Sequence, residues 1–515
     1  MPEDIAEGTI KSQIYRARGK NNLIYPNPLL SPENTETLDN INLTETGTAR
    51  KRFGYAKFNS SQSTGGKDFT GLAQLPFKSG TEQAEFAGTA FYEDDGATRT
   101  ARTGSLSLTD NTDLRWRIVF LQDNMIATNG TDETVRWTGS GNATDLTSSS
   151  NVPWTTCKDL VVHRNNLIAL RPTESSVDHT TRVRWCDINP RLYTVDITNF
   201  PIDNRVEIYD QGAPIVGGVD FRNMLYVFKE DGFYQTQLQY DTGFLELNIL
   251  DTVQGLEPIA INSITTQVGN PSFIWVVCRD GAYVVSPDNT FRRVTAPLDS
   301  DWALLNQGRL QYAVSTIYQP GHQVWTLLSS ESNSVGHDRV LVWDWETNDI
   351  RIDTLAESQN YIDSWVITDK RYIMFGSADG YVHKANDSAY SQDNGNDIDW
   401  DLKFAPNDLG MPGRSKNIIN LITYYRSKAG IQSIVHNVIR DEGRSLPRNT
   451  NLTLGTSLVW NGAGLKWDNG LQWPGGTNER ASFFVNRTAE TIQPQWTGTG
   501  DFEFQGYQAE FQVIE

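Results

Sequence analysis

Six histidines, His163, His179, His322, His337, His383 and His436, are the first residues to test for chemistry. A metal set needs ligands at fixed spacing on one element, and nucleophilic catalysis needs a base beside its nucleophile. No two of the six have such spacing, and the chain has no HExxH, GxSxG or P-loop, nor a GxGxxG at a strand-to-helix junction. Each histidine therefore reads as a surface or hairpin residue. No catalytic, cofactor-binding or metal-ligating set is expected, which makes the chain a non-enzyme that takes no cofactor.

The carboxylates offer little more. "EDD" at Glu93–Asp95 and "DSD" at Asp299–Asp301 could hold a hard cation, but neither follows a calcium-loop pattern, so both read as solvated loop charge. "SPDNTF" from Ser286 and "SADGYV" from Ser377 are fragments of the S-x-D-x-G-x-T-W box of sialidase-type propellers. Neither combines the Gly with the Thr-Trp ending, and turn formation by Ser and Asp accounts for both. The stretch "LVWNGAGLKWDNGLQWPGG", Leu458 to Gly476, repeats a tryptophan at Trp460, Trp467 and Trp473. It reads as a hairpin ladder with its indoles on one sheet face, or as an aromatic-anchored partner contact.

Composition narrows the class further. A net charge of −19 over 515 residues argues against gripping nucleic acid, because phosphate binding depends on Lys and Arg. It is compatible with a surface along which DNA slides. No run is apolar enough for a membrane span, and the first residues lack the basic and apolar regions of an export signal. Three widely spaced cysteines, Cys157, Cys186 and Cys278, suggest folding in a reducing cytoplasm.

The elements that must carry these residues repeat. "MLYVFKEDGFYQTQ" from Met224, "FIWVVCRDGAYVV" from Phe273 and "YIMFGSADGYVHK" from Tyr372 share one plan: an apolar run, Asp-Gly, then an aromatic-bearing run. Each predicts a hairpin in which Asp-Gly (Asp231, Asp280, Asp379) supplies the positive φ angles of a type I′ turn. A diverged copy begins at His322. Two more end at Trp137 and Trp185, and another lies between Ala84 and Thr103. Units of about 40–50 residues with several strands each predict a β-propeller. Trp137, Trp185 and Trp343 each end the strand after a unit's long loop, so they should pack the blades, with Asp344 incidental.

The fold expected is all-β: a propeller of six or seven blades over 66–390 and a β-sandwich-like platform domain over 391–515. Residues 1–65 form an arm or contribute to the platform. "NIINLITYYRS" and "IQSIVHNVI", on either side of a turn at Lys428–Gly430, supply platform strands.

Several segments resemble the tail nozzle proteins (tail tubular protein B) of short-tailed bacteriophages. "NNLIYPNPLLSPENTETLDNINLTETGTARKRFGY" resembles their N-terminus and closes on Gly47 to Tyr55. "RVRWCDINP", "IVGGVDFRNMLYVFKEDGFYQTQ" and "DLGMPGRSKNIINLI" resemble later parts. The resemblance implies a structural virion protein, assembled in the host cytoplasm as a hexameric ring below a tail adaptor. Fibres or spikes would dock outside. DNA would pass through the ring without sequence-specific binding, and stable membrane insertion is not expected. The other reading from the residues is a glycan- or protein-binding propeller module.

Overall fold

The computed structural model describes residues 9–21, 31–44, 48–58, 60–96, 98–189, 194–209, 212–241, 244–427, 431–440, 444–453 and 479–514. Nearly every regular element is a strand, as the alternating, β-branched and aromatic runs dictate.

Most of the chain forms a β-propeller. Strand Phe69–Phe77 lies beside Arg117–Leu121, followed by Thr156–His163, Ile215–Phe221, Thr265–Gln267, Val314–Tyr318 and Ile350–Ile367. The last of these returns to Phe69–Phe77. Antiparallel strands run outward from each, as in the order Arg117–Leu121, Asn124–Thr128, Val135–Trp137, Thr144–Asp145. Strand Ile350–Ile367 serves two successive units of the ring and joins them into one seven-stranded sheet. Its first residues pair with His337–Asp344, and from Gln359 onward it pairs with Lys370–Ser377. The last sheet is completed from the other end of the sequence, where Tyr55–Lys57 pairs with Val382–Ala385. A radial ring closed this way leaves little unprotected strand edge.

The hairpin chemistry differs from the expectation. At Asp231 and Asp280 the turn lies one residue earlier, at Glu230-Asp231 and Arg279-Asp280, and Gly232 and Gly281 already belong to the next strand. These glycines do not have positive φ; they permit close approach. A Cβ on Gly232 would lie 2.2 Å from the Val253 carbonyl oxygen. Only the Asp379 copy has the left-handed glycine, Gly380 at φ 80°. The paired positive φ angles of type I′ turns fall instead between first and second strands, at Gln122-Asp123, Arg164-Asn165, Arg222-Asn223 and Thr368-Asp369. Asp and Asn tolerate this conformation, so the second position of each turn carries the signal.

The tryptophans pack between sheets as expected. Trp137, Trp185 and Trp343 are all buried near the ends of third strands. Trp343 stacks on Trp275 of the preceding sheet, with centroids 5.4 Å apart and planes at 15°. Asp344 is more than incidental: its carboxylate accepts hydrogen bonds from the Glu346 and Thr347 amides and closes the following turn.

The second body is a sandwich of two six-stranded sheets drawn from both ends of the sequence. One has the order Ile41–Leu43, Ala49–Lys51, Phe502–Val513, Lys416–Ser427, Glu479–Ala489, with Ile10–Lys11 also on Phe502–Val513. The other runs Arg18–Lys20, Asn34–Asp39, Trp400–Phe404, Ile492–Gly498, Ile431–Arg440, Arg444–Thr453. Phe404, Trp496, Phe504 and Tyr507 fill the space between the sheets. The strands on either side of Lys428–Gly430, residues expected to form a turn and lying outside the described ones, belong to opposite sheets.

Candidate functional site

The two bodies meet at a buried polar junction built from the segment just after the first platform strands. Arg52 follows strand Ala49–Lys51, and its guanidinium reaches between the sandwich and the propeller. It donates from Nη1 and Nη2 to the two carboxylate oxygens of Asp393, at 2.8 and 2.6 Å. Nη2 also donates to the Thr354 carbonyl at 2.6 Å, and Nε donates to Asn40 Oδ1 at 2.8 Å. Burial works against the Arg52 charge, but the Asp393 carboxylate more than offsets it. Asn40, in a left-handed turn at φ 58°, donates its amide to Asp353 on the propeller. Lys20 adds a second tie, to Asp39 of the sandwich and Asp301 of the propeller, at 3.2 Å each.

Beside this junction lies a cleft of about 690 Å³ lined by Asp39, Arg52, Asp393, Asp397, Asp399 and Asp401. Burial pushes the Asp401 carboxyl up to about 6, against the hydrogen bond from Gln495. The lining is rich in carboxyl side chains, and Arg52 faces it already paired.

At the propeller axis, Arg117 on its inner strand donates across the ring to the carbonyls of Gly218 and Ile264, at 3.2 Å each. Its Nε lies 3.2 Å from the buried carboxylate of Asp159. Asp159 in turn accepts from the Gly218 amide at 2.7 Å. Close packing here leaves Gly217 no room for a side chain, since a Cβ would meet Asp159 and Ile261 at 2.9 Å. Arg117 therefore bridges the ring at this level.

The residues singled out from sequence fall mainly into structural roles. Glu93 pairs with Arg102, Asp94 with Arg99, and Asp95 caps the Thr98 amide. Asp299 pairs with Arg293 and Asp301 with Lys20. Ser286 and Ser377 sit in turns, closed respectively by the Ser286–Thr290 backbone bond and by the Ser377 hydroxyl against Asp379. The three cysteines are buried free thiols, and burial pushes Cys157 and Cys186 up to about 12. Trp460, Trp467 and Trp473 lie outside the described residues.

Three of the histidines, His163, His337 and His383, are fully buried rather than on the surface, although His163 does flank a hairpin turn, opposite Asn166. His163 Nδ1 lies 2.5 Å from Asp220, and its Nε2 accepts from the Leu238 amide at 3.3 Å. His337 bridges Ser329 and the Tyr312 carbonyl. His383 joins Glu357 and Asp379 in a cluster whose ligand-type atoms lie within 4.8 Å of one another. This is the group among the described residues that could hold a metal. Spacing along one element missed it because Glu357 arrives from a different strand than His383. The Arg52 junction was within reach of sequence only as part of "GTARKRFGY"; its partner Asp393 lies in a polar stretch with no signal.

No family model matches the chain, and no curated protein matches it. Among solved structures, it is similar to the extracellular domain of a hybrid two component system from B. thetaiotaomicron, with a TM-score of 0.40 and 9% identity. The match covers 65% of this chain and 39% of that one.

Proposed function

We propose that this protein is a structural tail nozzle subunit of a short-tailed bacteriophage, assembling into a homo-oligomeric ring through which DNA leaves the virion. The observation that carries the reading is the Arg52 junction. The segment "GTARKRFGY", which resembles nozzle proteins, is the one that locks sandwich to propeller through Arg52, Asn40 and Asp393. A part that must bear load between neighbouring rings needs its two bodies held as one, and a buried bidentate ion pair does that. We read the propeller as seven-bladed, from the seven inner strands that follow one another around the ring.

The bridge formed by Arg117 supports placing the DNA path between subunits rather than along the propeller axis. The net charge of −19 suits a conduit that does not retain phosphates. Electron microscopy of the chain mixed with its tail adaptor tests this. Rings with a lumen bounded by several chains are expected. Single particles that never form rings but retain a glycan would favour a binding module instead.

A further inference from the structure

The last propeller sheet contains a group that ordinary packing does not satisfy. His383 is fully buried on strand Val382–Ala385, next to the N-terminal strand that closes the ring, where it pairs with Lys57. Gln359 fixes its tautomer. The Gln359 side-chain amide donates to the Glu357 carbonyl at 3.3 Å, which turns its oxygen toward His383 Nδ1 at 3.4 Å. Nδ1 must then carry the proton, leaving a lone pair on Nε2.

That lone pair faces carboxylates. Nε2 is buried without a hydrogen-bond partner, and the nearest Glu357 oxygen is 3.8 Å away. This is too long for a hydrogen bond and close to the ~3.4 Å edge of a tetrahedron of ligands about 2.1 Å from an ion. Asp379, on the turn before the His383 strand, brings the third oxygen within reach. The groups facing the cluster are accounted for. Asn394 donates to both Glu357 oxygens, at 3.0 and 3.3 Å, and the Ser377 hydroxyl holds Asp379. Lys57 is the nearby cation, but its ammonium sits 3.4 Å over the Tyr381 ring and makes no ion-pair contact with either carboxylate.

We propose that Glu357, Asp379 and His383 bind a divalent first-row metal ion, of the zinc or manganese class, which pins the closing sheet of the propeller. One imidazole nitrogen with two carboxylate oxygens suits these ions better than calcium or magnesium, which prefer all-oxygen shells. The ion brings together the middle of strand Ile350–Ile367, a turn and the strand next to Tyr55–Lys57, so binding stabilises the closed ring.

The test uses the full chain, stripped with a chelator and titrated calorimetrically with Zn²⁺, Mn²⁺, Ca²⁺ and Mg²⁺, with melting followed in parallel. One equivalent of Zn²⁺ or Mn²⁺ per chain and a raised Tm are expected. Asp379→Asn and Glu357→Gln should weaken binding about tenfold or more while the metal-free Tm holds. Three outcomes would overturn the proposal: no stoichiometric uptake of Zn²⁺ or Mn²⁺, unchanged affinity in both variants, or equal affinity for Ca²⁺ and Mg²⁺.

Discussion

Arg52 and Asp393, 341 residues apart, form a bidentate ion pair with both side chains almost completely buried. The pair joins the last residue of the platform's N-terminal contribution to the polar stretch that follows the propeller. Removing one partner leaves a buried charge with nothing opposite it. Arg52→Ala should therefore cost about 3–5 kcal/mol. Chemical denaturation should also split from one transition into two as sandwich and propeller uncouple. Arg52→Lys keeps the charge but loses the fork and should fall between the two.

The axis bridge gives a second expectation. Arg117→Ala leaves the fully buried Asp159 facing the ring without its guanidinium, although the Gly218 and Leu160 amides still donate to it. A loss of about 3 kcal/mol is expected. Arg117→Ala with Asp159→Asn should recover part of it in a double-mutant cycle, and an additive cycle would contradict the pairing.

Aromatic packing between sheets can be tested where the sequence is plainest. Trp343→Ala removes the stacked partner of Trp275 and should cost about 3–5 kcal/mol. Asp344→Ala removes two turn hydrogen bonds at the surface and should cost only about 1 kcal/mol. Urea midpoints of the two variants separate a packing role from a turn role.

These residues show what the sequence made legible. Trp137, Trp185 and Trp343 were readable because a large apolar side chain at a fixed place in a repeat has one cheap fate, burial between sheets. The Asp-Gly pairs misled because glycine serves two needs, positive φ and close approach, and Gly232 and Gly281 meet the second. The carboxyl-rich cleft, the Arg117 bridge and the His383 cluster were not legible. The first two are assembled from strands far apart in the chain, and the third joins Glu357 to a turn and strand some two dozen residues on, so spacing along one element carries no information about any of them.

A pH dependence follows from the first propeller sheet, where Glu85 and Asp94 share the Arg99 guanidinium in a fully buried cluster. Burial pushes Glu85 up to about 8, with Arg99 opposing and Asp94 adding to the shift. Between the ordinary glutamate value and about 8, the folded chain holds a proton that the unfolded chain has released. The unfolded state then binds fewer protons, so stability falls as pH rises through this window. Glu85→Gln, permanently neutral, should flatten that slope in melting curves taken from pH 5 to 8.5; an unchanged slope would place its origin elsewhere.

Assembly into a ring is decided most directly by mass. Light scattering coupled to size-exclusion chromatography should find the 57.8 kDa chain alone or as a ring, and on adding the tail adaptor should find a closed ring of six chains. A chain that stays monomeric with the adaptor present, and instead binds a glycan at that mass, would contradict the account.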